Sequence, residues 1–332
     1  MSRLSRREAL KRGLLGAAGV ASIATPPALA RASELGAHVD PHTVMTGGVP
    51  AGAGIDPVAF LTDFDYGTVR REAGRTVREY QMVAIDRTLE IAPGLFYPAW
   101  TYNGRVPGPT LRATEGDLVR VHFHNTGTHE HSIHFHGFHA ADMDGVLEQV
   151  APGGRFTYEF EAAPFGLHLY HCHTMPLKKH IAKGLYGAFI IDPRTPRPPA
   201  REMVMVMNGF DVNFDGENEV YAVNTVPFAY QIHPITLRRG ERNRLYLVNV
   251  LEFDLLNSIH LHANFFHVFR TGTSLEPHEF TDTISMGQGE RHILEFTYQR
   301  AGKFMFHAHQ SEFAELGWMG LFDVRDAPAA AE

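Results

Sequence analysis

The chain has 332 residues, 44% hydrophobic and 20% charged, with a formal net charge of −7. That length allows two ordinary domains, each with its own core. The acidic balance and the lack of any basic amphipathic run argue against nucleic acid as a partner.

Residues 1–30 read as a targeting segment. Paired Arg6 and Arg7 precede a short apolar run that closes on Ala28-Leu29-Ala30. The run is too short to span a bilayer. Its SRRxxLK pattern resembles a twin-arginine signal, which implies export, to the periplasm or beyond, of a protein already folded. The segment carries a net +4, so the chain without it would stand at −11. Residues 31–79, rich in Gly, Ala and Pro, are expected to form an extended arm with a short helix near 56–62.

From about residue 80 the pattern changes to short alternating or apolar segments separated by turns: REYQMVAI, DLVRVHFH, GRFTYEFEA, LYGAFIID, EMVMVM, NRLYLVNV, HILEFTY. This spacing, without a helical period, predicts an all-β chain of sandwiches or barrels. MVMVM (203–207) reads as a strand with one buried face, rather than as soft metal ligands.

The pattern occurs twice. PGPTLRATEGDLVRVHFHN, HSIHFHG, PGGRFTYEFEA, GLHLYHCH and GLYGAFIID are followed, in the same order, by HPITLRRGERNRLYLVN, NSIHLHA, GQGERHILEFTY, GKFMFHAH and GWMGLFDV. The proline-rich PRTPRPPAR (193–201) suits a stiff connector. Two homologous β-domains are expected, over 80–196 and 197–325.

Histidine stands out at 21 residues. Each repeat holds two His-x-His pairs: His134/His136 and His171/His173, then His260/His262 and His307/His309. Residues i and i+2 of a strand share a face, so each pair offers two converging imidazoles. A lone pair is as well explained by surface alternation. Four at equivalent places in a repeat are not, and eight imidazoles exceed one metal ion, which points to a multinuclear site.

Cys172, the only cysteine, lies between His171 and His173. Alone it could be an inert buried thiol, an intermolecular bridge, a nucleophile or a ligand. If its neighbours face one way, its sulfur faces the other, toward His131 and His180 as partners. Cys plus two His is the make-up of a blue-copper site. Leu185 falls where an axial ligand would come and offers no donor, so the copper would be three-coordinate, with a raised potential. The second repeat supplies a control. Asn257, Ala308 and Phe313 fall where His131, Cys172 and His180 stand, and Trp318 where Leu185 stands. The three donors are absent together, while the paired histidines remain.

On YNGRVPGPTLRATEGD, HSIHFHG, DGVLEQVAPGGRFTYEFEA, LYHCHTMPLKKHIAKGL, NSIHLHANFFH and FHAH, the chain resembles the multicopper oxidases over roughly residues 80–325. More narrowly it resembles two-domain, laccase-like members with type 1 copper in the first domain. The resemblance implies two cupredoxin-like Greek-key β-sandwiches. It also implies a homotrimer, with a three-copper cluster between domain 1 of one subunit and domain 2 of the next. It implies type 1 ligands His131, Cys172 and His180, type 2 ligands His134 and His260, and type 3 ligands His136, His171, His173, His262, His307 and His309. Copper would number about four per subunit. Asp144 matches the acid that aids proton delivery near the cluster. The Cys172-to-His180 loop is longer than is usual in laccases. His139 and His168 lie close enough to compete as ligands. His122, His124, His129, His267 and His292 read as strand or loop surface.

The activity so implied is one-electron oxidation of phenols, aromatic amines or metal ions, coupled to four-electron reduction of dioxygen to water. A copper nitrite reductase is the rival. It would need one catalytic copper per interface and would leave half of each pair idle. A copper-storage protein is the rival from another class.

Overall fold

A computed structural model describes residues 56–326. The leader expected over 1–30 and the first part of the arm lie outside the described residues. Within the expected helical stretch, Pro57–Phe60 is helical. The Asp56 carboxylate caps it, accepting from the Val58 and Ala59 N–H groups, and Pro57 sits at the first position, where its missing N–H costs nothing.

The rest of the supposed arm is not an arm. Phe64–Asp65 runs parallel to Thr110–Leu111. Thr68–Glu72 forms a hairpin with the start of the strand Arg75–Ala92. Ala73 and Gly74 both take positive φ at that turn (47° and 83°), the backbone a two-residue hairpin turn requires. Residues 68–72 alternate no apolar side chains and are exposed throughout. They make a charged edge strand, which composition alone resembles linker.

The strands form four sheets. The first orders Thr68–Glu72, Arg75–Ala92, Leu118–Asn125 and Arg155–Glu161, with Leu95–Tyr102 paired to Arg75–Ala92. The second orders Phe64–Asp65, Thr110–Thr114, Tyr186–Asp192, Gly166–His171 and His134–Phe135. The third is built on Arg201–Phe210, Asn243–Asn249 and Arg291–Phe296. The fourth orders Ile235–Arg238, Met319–Arg325, Gly302–His307, Leu256–Leu261 and Thr283–Gly287. The second and fourth share a pattern, with each strand bearing one half of a repeat at the matching place. The sequence repeat is thus a repeat of topology, and both halves are all-β cupredoxin-like sandwiches.

Three apolar layers separate the four sheets. Tyr80, Val121, Tyr158, Leu111 and Phe189 fill the first domain. Met205, Leu247, Leu294, Phe306 and Phe322 fill the second. Leu167, Leu169, Ile190, Val204, Val206, Val248 and Ile293 form a third layer between the domains. The strand carrying MVMVM is therefore buried on both faces, not one. Its methionines enter the domain 2 core and its valines the interdomain layer.

At the rim of that layer, Arg112 of the first domain binds Asp192 at 2.8 Å and Glu202 of the second at 2.6 Å. Glu202 also accepts from Arg244 at 3.1 Å and from the Tyr246 hydroxyl at 2.6 Å. No helix among the described residues is long and apolar enough to cross a membrane.

Candidate metal centre

The strand Gly166–His171 ends where its last side chains reach two different spaces. Cys172 turns into the domain 1 core, fully buried, while His171 and His173 line a pocket on the other side. The backbone at the turn is tied by the Cys172 N–H to the Leu185 carbonyl (3.0 Å). Burial excludes Cys172 from intermolecular bridging.

Inside the core, His131 and His180 reach the sulfur. Their Nδ1 atoms lie 3.9 and 3.3 Å from Cys172 Sγ and 3.2 Å from each other. A point equidistant from three atoms so spaced is roughly 2.0 Å from each, the circumradius of the triangle, close to metal–imidazole bond lengths. Burial lowers the pKa of both histidines to about 4, with His180 acting on His131 and His129 on His180. Each ring is therefore neutral near pH 7, with a lone pair to give. Burial also pushes the thiol up, which makes it a poor nucleophile, whereas a bound cation would deprotonate it outright. Two soft-to-borderline nitrogens and one sulfur, buried and convergent, fit copper. The residues 177–182 of the long loop form a helix, and that helix delivers His180. Trp100 packs its ring against His180 and His131, with centroids 4.8 and 5.3 Å apart.

Across the strand, four imidazoles gather. His134 lies 5.0, 5.2 and 5.4 Å, centroid to centroid, from His136, His171 and His173. His136 and His171 present Nε2 atoms 3.3 Å apart. His171 is oriented by donating from Nδ1 to the Cys172 carbonyl at 2.9 Å. Burial brings His136 down to about 3 and His171 to about 4. His134 Nδ1 faces the Asp144 carbonyl at 2.8 Å and its carboxylate at 3.1 Å. Its Nε2 is thus left for a metal. Asp144 also lies 3.6 Å from His139 Nε2. Both ring nitrogens of His139 face carbonyls, of Phe135 and Ala140, while His168 gives Nε2 to the Pro164 carbonyl and its Nδ1 is buried without a partner.

The second domain repeats this quartet. His260 lies 5.0, 5.5 and 5.6 Å from His262, His307 and His309. The Nε2 atoms of His262 and His307 are 3.0 Å apart. His307 Nδ1 meets the Ala308 carbonyl at 2.6 Å, as His171 meets that of Cys172. His260 Nδ1 meets the Asp282 carbonyl at 3.0 Å, as His134 meets that of Asp144. Among the described residues, no hydrogen bond or ring contact joins one quartet to the other. The two quartets have the same shape.

The place matching the Cys172 cluster is filled with apolar matter in domain 2. Ala308 N–H bonds the Trp318 carbonyl and Trp318 N–H bonds the Phe313 carbonyl, the same ladder that Cys172, Leu185 and His180 make. The Trp318 indole N–H donates to Asn257 at 3.0 Å, in the position of His131.

One reading is corrected. His292 is not surface: it is 3% exposed, both its nitrogens lack partners, and burial lowers its pKa to about 4. It alternates with Leu294 and Phe296 on the core face of Arg291–Phe296, which period 2 could have revealed. Other neighbours went unread. Ser132 and Ser258 accept from the His173 and His309 N–H groups, and stand at the same place in HSIH and NSIH. Glu252 borders the domain 1 quartet in a pocket of about 560 Å³, with Lys178 and Gln288. Burial raises its pKa to about 7. Trp100, Asp282 and Glu252 carry no sequence signal, because each reaches its site from another strand or domain.

Two family models described as multicopper oxidase match residues 87–196 and 196–328. A crystal structure of a multicopper oxidase is 57% identical, covering 82% of this chain and 98% of that one, with a TM-score of 0.81. A copper nitrite reductase from Nitrosomonas europaea is 27% identical, covering 75% of this chain and 94% of that one, with a TM-score of 0.69. A copper-containing nitrite reductase of Neisseria meningitidis is 33% identical over 131 residues, 39% of this chain. The match spans about a third of that curated relative (34%).

Proposed function

We propose, for a chain that belongs to the multicopper oxidase family and binds copper, that it is a laccase-like oxidase. It oxidises a reducing donor by single electrons and reduces dioxygen to water. The observation that carries this is the congruence of the two quartets, in each of which four imidazoles converge. A single catalytic copper would leave most of them without work.

In this reading His131, Cys172 and His180 would hold the type 1 copper, and Leu185, fully buried in the same core, has no donor atom to add. His134 and His260 hold type 2. His136, His171, His173, His262, His307 and His309 hold the type 3 pair. Because the quartets of one chain do not meet, copies assemble head to tail as a homotrimer, each joint uniting a domain 1 quartet with a domain 2 quartet. Copper bound in these sites would supply the electron acceptance and the reduction of oxygen. The chain supplies the path. Cys172 is covalently one residue from His171 and His173, and its carbonyl is hydrogen-bonded to His171 Nδ1. Asp144 fixes the His134 ring and holds a proton acceptor 3.1 Å from its Nδ1. The leader resembling a twin-arginine signal would export the folded protein.

A second reading, nitrite reduction, is favoured by the reductases among the relatives. Copper analysis with oxygen uptake decides between them. About four coppers per chain, the near-ultraviolet band of a coupled pair, and oxygen consumption with a phenol support the oxidase. About two coppers with nitrite turnover and no oxygen uptake would overturn it.

A further inference from the structure

A cleft of about 580 Å³ opens beside the Cys172 cluster, on the side of Trp100. Trp100 is its floor, and the ring behind that floor is His180, 4.8 Å away. An aromatic ring laid on Trp100 is therefore one residue from the cluster.

Two lysines stand over aromatic rings in this cleft. Lys179 Nζ lies 5.2 Å from the Trp100 centroid. Lys183 Nζ lies 4.3 Å from Phe214 and donates to the Pro98 carbonyl. Neither lysine takes part in an ion pair among the described residues. Asp86 lines the cleft and accepts through Oδ2 from the Thr128 hydroxyl and N–H; it and Asp211 act on Lys183 across space, as carboxylates opposing the effect of Lys179. Burial, then the charge of Lys179, lowers the Lys183 pKa. An anion placed between the two ammoniums would relieve that repulsion.

Phe214 comes from the second domain and is 57% exposed. Its φ is +60°, a left-handed conformation that a bulky residue adopts only when its surroundings impose it. The loop imposes it. Asp211 accepts from the Asp215 and Gly216 N–H groups, and Asn213 accepts from Asp215 as well. A strained loop holding an exposed ring beneath an unpaired ammonium is a recognition surface in form.

We propose that this cleft seats the aromatic electron donor, and that Lys179 and Lys183 select donors whose ring carries a carboxylate or sulfonate. The inference rests on the oxidase reading for its redox step. Each phenol so held loses one electron toward the Cys172 centre and its hydroxyl proton to water, leaving a phenoxyl radical. Four such electrons and four protons reduce one dioxygen to two waters.

The test uses copper-loaded full-length protein, syringate against its methyl ester as donors, and benzenesulfonate as a redox-inert probe followed by calorimetry. In the Lys179→Gln/Lys183→Gln variant, KM for syringate and Kd for benzenesulfonate should both rise about tenfold, while KM for the ester moves less than about twofold. The visible type 1 band should be unchanged, showing that the copper geometry survives. Phe214→Ala should raise KM for both donors and leave their ratio alone. Equal KM values for syringate and ester in the native protein, or benzenesulfonate binding indifferent to the lysines, would overturn the proposal with the oxidase intact. Lysine-dependent benzenesulfonate binding without oxygen uptake from any donor would uphold the anion site and sink the oxidase reading instead.

Discussion

At the scale of single residues, the centre depends on one thiol that has neighbours on both faces. Cys172→Ser is isosteric and keeps the buried packing, but removes the sulfur. The intense visible band should vanish, copper should fall by about one per chain, and donor oxidation should stop while the fold persists by circular dichroism. Asp144 and Asp282 offer a graded comparison. Both fix a ring through a backbone carbonyl, but the carboxylates lie 3.1 and 4.0 Å from the ring nitrogens. Asp144→Asn should cut kcat about a hundredfold at unchanged copper content, and Asp282→Asn much less. His292 predicts a pH effect that has no part in chemistry. Its folded pKa of about 4 lies below the ordinary 6.5, so the unfolded chain takes up a proton first on acidification. The stability His292 contributes is complete above pH 6.5 and is lost as pH falls toward 4, on the order of 3 kcal/mol. His292→Leu should make the urea midpoint of the protein fall less steeply over that window, the other buried histidines keeping the rest of the slope, and an unchanged slope would refute the assignment.

At the scale of elements, what was readable and what was not divides along the period of the strand. His171, Cys172 and His173 could be assigned to two faces because alternation is enforced by the pleat. The co-loss of three donors in domain 2 could be read because the repeat keeps its order. The same rule misjudged MVMVM, since a strand inside a stack of sheets has no polar face to mark it. It also passed over residues 68–72, whose hairpin rests on backbone φ rather than on apolar pattern. The long loop could be counted but not shaped, and its helix over 177–182 follows from context. The filled site of domain 2 gives a stability prediction. Trp318 occupies the space of a metal site and satisfies Asn257 Oδ1, whose amide Nδ2 is already without a partner. Trp318→Phe should cost roughly 2 kcal/mol in the urea unfolding of the protein, from lost volume and one lost hydrogen bond, Asn257 Oδ1 keeping the Ser258 N–H.

At the scale of the whole molecule, the two domains are joined through a continuous buried layer. The interdomain layer is apolar, and its rim is closed by Arg112, Glu202 and Arg244. Glu202→Gln removes one charge from that set, while Arg112 keeps Asp192 and Arg244 keeps Glu295. It should destabilise the protein by roughly 1–2 kcal/mol by denaturant titration. It should also loosen the fit between domains before either sandwich melts, which would split a single transition into two. The layer has a bearing on assembly as well. In the proposed assembly each chain would present one quartet at one place and the other elsewhere, so joints between copies would be unlike-to-unlike. Such joints close into a ring only if the turn from copy to copy divides a full circle, and otherwise run on as a fibre. That turn is set inside the chain, by the angle at which Leu167, Leu169 and Ile190 meet Val204, Val206 and Ile293. In the proposed head-to-tail assembly, the buried layer between the domains, whose Leu169, Ile181 and Val250 also line the domain 1 histidine pocket, would act as the hinge pin and the protractor. It would set how many copies complete the circle.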